Sequence, residues 1–590
     1  MRPDEAFHNE DEINEEKAAP AQMEPESSRR RFLSCLGALG IGSVIFQRSL
    51  AAQVAKEQSV TSEMVQSAEW IAGIELEEEE RDEVARALRR NLLSAERLRE
   101  TLVDADTVPA FVFRPDFFYQ QASGENRHSD AKPQVAFSVD PKAKKGSDED
   151  LDFASLRSQA SLLARGQVSS KELTELYLGR LKKYDPLLKC VITMLEEYAM
   201  EQAKASDARR AKNELRGNLD GIPWVTKDLV ALPPWKTTWG AEPFKDQVRT
   251  ETATVAEKLE AAGAVLMAKV TLGAMAWGDQ WFGGTTRNPW NPEQGSSGSS
   301  AGSASAIAAG LATFALGSET LGSIVSPTTR CRTSGLRPTF GRVSRAGCMP
   351  LAWSMDKIGP IARYVEDLAL VFPELLGQDG KDPTLVDRGF RWPMKTELSR
   401  MRVGVPGGLR GAEKQALEFL EAEGAEIVDL DLGSELPTSA MSFILGVEAS
   451  TVFDDAFRDD PKADYGKWPS TFRETQFIPA IQYVRANRLR SQLIVETEKK
   501  FTEVDVILGG NDLLLTNLTG HPSIVVACGS DKSGEIELPG VVKLTAAAYR
   551  EQHLLHVGHA LQQALPPLPS RPPLDAWVER ISDDSPGEKP

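Results

Sequence analysis

The chain has 590 residues, of which 41% are hydrophobic, and its formal net charge is −18 at pH 7. This length and composition are those of a globular protein with a large core and room for more than one domain. The acidic balance would repel a polyanion, and no stretch concentrates Lys and Arg among aromatic residues, so we expect no nucleic acid partner.

The first feature along the chain is a basic cluster followed by a short apolar run. Residues 28–33 read SRRRFL, residues 36–46 are apolar, and residues 49–52 are mostly small. This order is typical of a twin-arginine signal, and the run is shorter than the ~20 residues of a membrane-spanning helix. We predict that residues 1–52 are an acidic leader and signal peptide. The protein would use the twin-arginine translocation machinery and be periplasmic or extracellular in a bacterium.

Four cysteines would remain after removal of this signal: Cys190, Cys331, Cys348 and Cys528. A twin-arginine substrate folds in the reducing cytoplasm before export, so its core must be stable without disulfides. We therefore expect four buried thiols. The chain has no CxxC pair, and we predict no metal site.

Residues 53–148 are predicted to form a helical appendage and a linker. Charged helical patterning is clearest over residues 75–99, and a polar stretch runs to residue 148. The main body, residues 149–566, begins with a long helical hairpin that ends near Leu215. Ser169 and Glu172 have the spacing of a capping box at the start of its helix.

Short apolar segments then alternate with helices of small residues, which predicts a layered α/β fold. The segments are residues 221–230, 254–262, 265–268 and 303–316. Residues from about 380 to 505 are more polar and helical, and we interpret them as a variable cap over the core. The proline-rich and acidic tail, residues 567–590, is predicted to lack fixed structure.

The most unusual segment is the Gly/Ser run at residues 295–303, which leads into the small apolar stretch 304–316. A flexible linker does not usually lead into an apolar helix, whereas a helix start aims free amides at the loop above it. The run also matches GxSxG, the nucleophile elbow of Ser-His-Asp hydrolases. An elbow follows a buried strand, however, and residues 288–294 are polar and interrupted by prolines.

Histidine is scarce where such a hydrolase would need it. None lies between residues 129 and 520, and His521 is the one histidine still available as a base. His553, His556 and His559 turn too far around a helix to share one metal ion, so we interpret them as surface or packed side chains.

Lys227 ends an apolar segment and offers a different base. A lysine buried there would have a lowered pKa, because burial disfavours the ammonium form, and its neutral amine would accept a proton. The alternative is a structural lysine paired with Asp228.

Five motifs in order closely resemble the amidase signature family over residues 151–566. They are residues 221–228, 298–303, 317–324, 335–344 and 359–363. The resemblance implies a core α/β/α sandwich around a mixed, twisted sheet, amide hydrolysis and no cofactor. It places the family's base on Lys227, a serine in a cis peptide on Ser299, and the nucleophile on Ser323. It also implies an oxyanion hole made by the amides of Thr320, Leu321, Gly322 and Ser323, with Gly298 and Ser300 in the site loop.

The chain departs from the family motif around the nucleophile. Glu319 replaces an aspartate, Leu321 a glycine and Val325 an arginine. We expect Arg330 or Arg332 to supply the missing positive charge. Leucine cannot take a positive φ cheaply, so Leu321 is expected to shift or narrow the oxyanion hole.

The sequence therefore predicts an exported amidase that acts on a small-molecule amide. Ester hydrolysis by the same acyl-enzyme route and a noncatalytic binding protein remain as alternatives, and export argues against the family's role in tRNA-dependent amidation. Candidate aromatic pocket residues are Trp239, Trp277, Trp281 and Phe282.

Overall fold

The computed structural model describes residues 60–101, 133–146, 151–430, 432–533, 536–567 and 569–584. They divide into two compact units, one ending at Arg89 and the other beginning at Arg90. The predicted signal segment, residues 1–52, lies outside the described residues. No helix in the described part of the chain is long and apolar enough to cross a membrane.

The first unit contains helix Ser62–Ala72 and the beginning of helix Glu78–Glu100. The Thr61 side chain caps the first helix by accepting a hydrogen bond from the Met64 amide, and Gly73 ends that helix with a positive φ of 65°. An ion pair of 2.7 Å joins Arg81 to Glu69. The charged helical patterning predicted over residues 75–99 corresponds to the second helix.

An 11-stranded mixed sheet forms the centre of the second unit. From one edge to the other, its strands are Glu426–Asp429, Arg402–Val405, Val506–Leu508, Ile536–Thr545, Ser523–Ser533, Ser334–Arg337, Lys357–Ala362, Phe314–Glu319, Pro223–Lys227, Val265–Val270 and Val191–Met194. Strand Pro223–Lys227 runs parallel to both of its neighbours, whereas Lys357–Ala362 is antiparallel to both of its own.

Both faces of this sheet are covered, because successive side chains of one strand enter two different cores. Phe314 and Leu316 belong to one hydrophobic cluster, and Ala315 between them belongs to another. On strand Val265–Val270, Leu266 likewise belongs to the first cluster and Met267 to the second. The predicted α/β sandwich around a mixed sheet is confirmed.

Fourteen α-helices of the second unit lie wholly within the described residues. They are Leu156–Ala164, Ser170–Leu188, Glu196–Ala211, Thr254–Ala261, Ala301–Ala308, Val325–Cys331, Val365–Val371, Ala412–Ala422, Phe443–Asp459, Trp468–Thr475, Ala480–Lys500, Leu513–Thr519, Glu551–Ala564 and Leu574–Asp584. The capping box predicted at Ser169 and Glu172 is present at the start of the second of these.

Residues 304–316 do not continue as one helix from the Gly/Ser run. Helix Ala301–Ala308 ends, Gly310 turns the chain with a φ of 65°, and strand Phe314–Glu319 begins. A Cβ at Gly310 would lie 2.5 Å from the Phe153 ring, so only glycine fits this turn. Apolar composition alone did not distinguish a helix from a helix followed by a strand.

The interpretation of residues 380–505 as a cap is only partly right. Strands Arg402–Val405 and Glu426–Asp429 pair with each other, and the first also pairs with strand Val506–Leu508, so both extend the central sheet. Val403 is fully buried there. The later helices of the segment do cover the core. Strand Arg391–Trp392 of this segment pairs in parallel with Gln134–Val135, which lies in the region predicted to be an appendage and linker.

The prediction that residues 567–590 lack fixed structure is wrong over helix Leu574–Asp584. Leu574 is 4% exposed and belongs to a core cluster. Asp575 pairs with Lys183 at 2.7 Å and accepts a hydrogen bond from Tyr184 at 2.8 Å. An apolar anchor and two polar contacts hold a segment whose prolines and acids suggested disorder.

Candidate active site

A cavity of about 710 Å³ lies beside the end of strand Phe314–Glu319. We call it the main chamber. The sheet side contributes Ser297, Gly298, Thr320, Leu321 and Ser323, and the helices of residues 443–475 contribute Phe443, Leu445, Gly446, Trp468 and Thr471. The predicted site loop and nucleophile turn therefore open into one space.

Lys227, the last residue of strand Pro223–Lys227, is fully buried and surrounded by hydroxyl groups. Its Nζ lies 2.7 Å from Ser299 Oγ, 2.9 Å from Ser318 Oγ and 3.2 Å from Ser300 Oγ. Burial lowers the pKa of Lys227 to about 7, although the charges of Asp356 and Glu319 oppose this shift.

Asp228 does not pair with Lys227. Its carboxylate forms an ion pair of 2.7 Å with Lys269 and accepts a hydrogen bond of 2.8 Å from the Thr238 amide. Adjacent side chains at the end of a strand point to opposite faces of the sheet, which separates Lys227 from its sequence neighbour. The predicted pairing of Lys227 with Asp228 is thus wrong.

The Gly298–Ser299 peptide bond is cis, as the resemblance implied. A Cβ at Gly298 would lie 1.8 Å from the Gly278 carbonyl oxygen, so no other residue fits. Ser297 has a φ of 61°, and its amide donates to Asp279 Oδ2 at 2.9 Å. The Asp279 carboxylate therefore anchors the loop that carries Ser299.

Ser323 lies in the turn after strand Phe314–Glu319 and is 8% exposed. The Ser300 amide donates to the Ser323 carbonyl at 3.0 Å, which ties the loop of Ser299 to the turn of Ser323. Among the described residues, no hydrogen bond joins the Ser299 and Ser323 hydroxyls. Catalytic hydrogen bonds often tighten only when substrate binds.

The backbone of this turn offers free donors. Within the part of the chain that the structure describes, the amides of Leu321, Gly322 and Ser323 donate no hydrogen bond. The positive φ of the turn, 82°, falls on Gly322 and not on Leu321. The expected conflict between leucine and a left-handed backbone therefore does not arise, and the Leu321 side chain, 37% exposed, borders the main chamber.

The Glu319 carboxylate binds the backbone that follows the turn of Ser323. Its Oε2 accepts hydrogen bonds from the Ile324 and Val325 amides at 2.8 and 2.9 Å, at the start of helix Val325–Cys331. Its Oε1 accepts from Arg337 at 2.8 Å and from Asn517 at 2.7 Å. These partners, chiefly the Arg337 charge, hold the pKa of the buried Glu319 at about 2.

Arg337, not Arg330 or Arg332, supplies the positive charge beside Glu319. Arg330 contacts Gln294 at 3.4 Å, and Arg332 pairs with Asp531 at 2.7 Å. Arg337 lies on strand Ser334–Arg337, near Glu319 in the sheet but farther along the chain. Arg337 belongs to the motif at residues 335–344, which could have indicated its role. Arg330 and Arg332 were favoured because they are nearer to Glu319 in the sequence.

Only one of the four candidate aromatic residues lines the main chamber. It is Trp277, whose ring meets that of Trp468 edge-on at 4.7 Å. Trp239 packs at 4.7 Å against Phe244 in the core, and Trp281 and Phe282 border a separate, smaller cavity. Trp468 was not among the sequence candidates. Pro469 follows it in the first turn of helix Trp468–Thr475, where proline is tolerated.

His521 is not a base for Ser323. Its two ring nitrogens lie 2.7 Å from Thr519 Oγ1 and 2.7 Å from Glu498 Oε2. His553, His556 and His559 lie on helix Glu551–Ala564, and His559 packs on Trp392. The described residues contain no cluster of three or more His, Cys, Asp or Glu arranged to hold a metal.

The prediction of four buried thiols holds for three of the four cysteines. Cys190, Cys331 and Cys528 are buried, and Cys348 is half-buried. Burial raises the pKa of Cys528 to about 12, which keeps this thiol protonated and unreactive.

Comparison with known proteins adds to this geometry. The family model described as Amidase matches residues 172–510. The chain is 32% identical over 478 residues to a glutamyl-tRNA(Gln) amidotransferase subunit from Acinetobacter baumannii, covering 70% of this chain and 96% of that protein. The protein of the same name from Roseiflexus castenholzii is 32% identical over 464 residues, which are 68% of this chain and 94% of that one.

Solved structures show the same relationship. The native peptide amidase from Stenotrophomonas maltophilia is similar with a TM-score of 0.61 and 26% identity, over 70% of this chain and 96% of that one. A 6-aminohexanoate cyclic dimer hydrolase shares the fold, with a TM-score of 0.63 and 23% identity over 72% and 99% of the two chains. The family match spans all three segments that carry Lys227, Ser299 and Ser323.

Proposed function

This chain belongs to the amidase family and hydrolyses carboxylic amides, and on that premise we propose that Lys227, Ser299 and Ser323 carry out the reaction. The observation that supports these roles is the contact of 2.7 Å between Lys227 Nζ and Ser299 Oγ in a buried site without a bonded carboxylate. With a pKa of about 7, Lys227 is largely neutral just above neutral pH and accepts a proton.

In the proposed mechanism, Ser323 Oγ attacks the amide carbon while its proton passes to Ser299 and the Ser299 proton passes to Lys227. The amides of Thr320, Leu321, Gly322 and Ser323 stabilise the oxyanion of the tetrahedral intermediate. The proton then returns through Ser299 to the leaving nitrogen, the C–N bond breaks and an acyl-enzyme remains. Water attacks the acyl-enzyme by the same proton route and releases the acid.

We propose a small-molecule amide as the substrate. A chamber of about 710 Å³ is within the range of sites that enclose small ligands. The net charge of −18 disfavours a tRNA-linked substrate of the kind named for the amidotransferase relatives. A small amide matches a chamber of this volume better.

A fluorophosphonate tests the assignment of nucleophile and base. We expect one adduct, mapped to Ser323 by mass spectrometry, that is lost in Ser323→Ala and in Lys227→Ala. Matched controls are Ser442→Ala and Lys467→Ala, which remove a hydroxyl and an ammonium from the opposite wall of the chamber and should keep the adduct. An adduct on another serine, or undiminished labelling of Lys227→Ala, would contradict the proposal.

We also propose export by the twin-arginine pathway. The support is the SRRRFL segment with its apolar run and small residues, and the free thiols agree with folding in a reducing compartment. Cell fractionation after Arg29→Lys combined with Arg30→Lys should find the protein retained in the cytoplasm, whereas Arg31→Lys should not retain it. Export of the double variant would count against this pathway.

A further inference from the structure

A second cavity, of about 510 Å³, adjoins the main chamber. Ser297, Ser326 and Arg330 line both cavities, so the two spaces meet at these residues. We call the second cavity the side groove. Its walls include the apolar side chains of Trp290 and Val325. A substrate bonded at Ser323 has room to extend in two directions.

The charge of the side groove comes from two arginines, and no carboxylate lines it among the described residues. Arg332 is already neutralised by Asp531 at 2.7 Å and also donates to the Pro539 carbonyl at 3.1 Å. Arg330 is exposed, forms no ion pair within the described residues, and contacts only the neutral Gln294 amide oxygen at 3.4 Å. Arg330 is thus the uncompensated charge of the groove.

Two acidic side chains, Asp279 and Glu474, line the main chamber, and neither lines the side groove. Asp279 Oδ2 accepts a hydrogen bond from the Ser297 amide at 2.9 Å. Asp279 therefore anchors the site loop and leaves the Arg330 guanidinium available to a ligand. A planar guanidinium matches a carboxylate with two parallel hydrogen bonds.

The proton route indicates which half of the substrate lies in the groove. The leaving nitrogen receives its proton through Ser299 and must face the loop that carries it. Ser297, two residues before Ser299, lies where the two cavities meet, and Gln294 of the same segment lines only the groove. The amine half then points into the groove, and the acyl half lies in the main chamber against Trp277 and Trp468.

We propose that the side groove binds the amine portion of the substrate and that Arg330 recognises a carboxylate on it. The substrates are then amides whose amine half is anionic, such as N-acylated amino acids, and hydrolysis adds water to release a carboxylic acid and the amino acid. This inference rests on the proposed function, because it uses the positions of Ser299 and Ser323 in the relay.

Two matched anilides test the inference: 4-(phenylacetylamino)benzoate and the neutral phenylacetyl 4-methylanilide. We expect the wild-type protein to have the higher kcat/KM for the benzoate. Arg330→Gln should lower the ratio of kcat/KM for the benzoate to kcat/KM for the methylanilide about tenfold, as the loss of one charge-assisted contact would. Lys467→Gln, which removes a cation that lines only the main chamber, should leave the ratio within about twofold.

Protection of Ser323 from the fluorophosphonate gives a second measurement that does not require turnover. The benzoate should protect better than the methylanilide, and Arg330→Gln should abolish the difference. Equal protection by both compounds, or an unchanged ratio in Arg330→Gln, overturns the inference while Ser323 labelling upholds the proposed function. The inference is also overturned if a carboxylate raises kcat/KM only when it is placed on the acyl half of the amide. If Ser323 is not labelled at all, the proposed function itself fails.

Discussion

Lys227 and Lys269 lie on neighbouring strands of the central sheet, and both side chains are fully buried. Lys269 pairs with Asp228 at 2.7 Å and donates to Thr237 Oγ1 at 2.7 Å. Among the described residues, the Lys227 Nζ hydrogen-bonds to three hydroxyls and a carbonyl oxygen and to no carboxylate. Burial lowers the pKa of both lysines because it disfavours the ammonium form. At Lys269 the Asp228 charge opposes this shift.

The comparison shows that burial of a lysine does not by itself indicate chemistry. A carboxylate partner makes Lys269 a structural cation, and breaking such a pair leaves a buried charge. Burial gives Lys227 a pKa of about 7, and the surrounding hydroxyls provide a path for protons. The following predictions test this difference, beginning with the largest expected effect.

Lys227→Met should lower kcat by about 10³-fold or more, because the variant lacks the base for Ser323. Its free energy of unfolding should not fall, since no buried ion pair is broken. Steady-state hydrolysis and urea denaturation check the two halves of this prediction. Activity above one tenth of the wild-type value would show that another group accepts the proton.

Lys269→Met should destabilise the protein by roughly 3–5 kcal/mol, because Asp228 is left charged and buried. Urea denaturation at neutral pH measures this loss. The double variant Lys269→Met with Asp228→Asn should recover part of it, since the uncompensated charge is removed. If the single variant loses less than about 1 kcal/mol, Lys269 and Asp228 do not form a buried ion pair in solution.

The pH dependence of kcat/KM should report Lys227. Only the neutral amine accepts a proton, so kcat/KM should rise about tenfold per pH unit below the pKa of about 7 and level off above it. A rate profile from pH 5 to 9 measures this limb. A limb that stays flat between pH 5 and 8 would contradict the assignment.

Asp356→Asn should move the acid limb of that profile to lower pH. The Asp356 charge raises the pKa of Lys227, so its loss makes the amine easier to deprotonate. The asparagine oxygen can still accept the hydrogen bond that Thr320 Oγ1 donates at 2.6 Å. Its amide nitrogen cannot accept the hydrogen bonds that the Leu351 and Ala352 amides donate to Asp356 Oδ2, so some loss of stability is expected. Thr320→Val is the matched control: it removes this hydrogen bond but keeps the charge, and should leave the limb in place.

Leu321→Gly should have the smallest effect. The backbone amide remains and Leu321 has no positive φ, so kcat for a small amide should stay within about threefold and stability within ~1 kcal/mol. Amides with bulky acyl groups should gain in kcat/KM, because the side chain borders the main chamber. A series of acyl chain lengths measures this change. A large fall in kcat for every substrate would mean that Leu321 orders the oxyanion hole.

The composition of the motif at residues 298–303 is a steric requirement. A Cβ at Gly298 would lie 1.8 Å from the Gly278 carbonyl oxygen, and one at Gly302 would lie 2.4 Å from the Thr271 amide nitrogen, so neither position accepts a side chain. The errors came from contacts between distant parts of the chain. Arg337 was passed over for nearer arginines, and strands Arg402–Val405 and Glu426–Asp429 were interpreted as part of a cap.

The resemblance of the motifs to those of the amidase signature family supplied three candidate side chains. The sequence by itself determined the order of those motifs and the layered α/β class. These follow from local patterns and from residue types that only one backbone geometry accepts. Tertiary structure decided that Lys227 faces hydroxyls while Asp228 faces Lys269, and that Arg330 has no anionic partner among the described residues. Such outcomes depend on which distant side chains share a face of the sheet, since charge and solvation act through space and not along the chain.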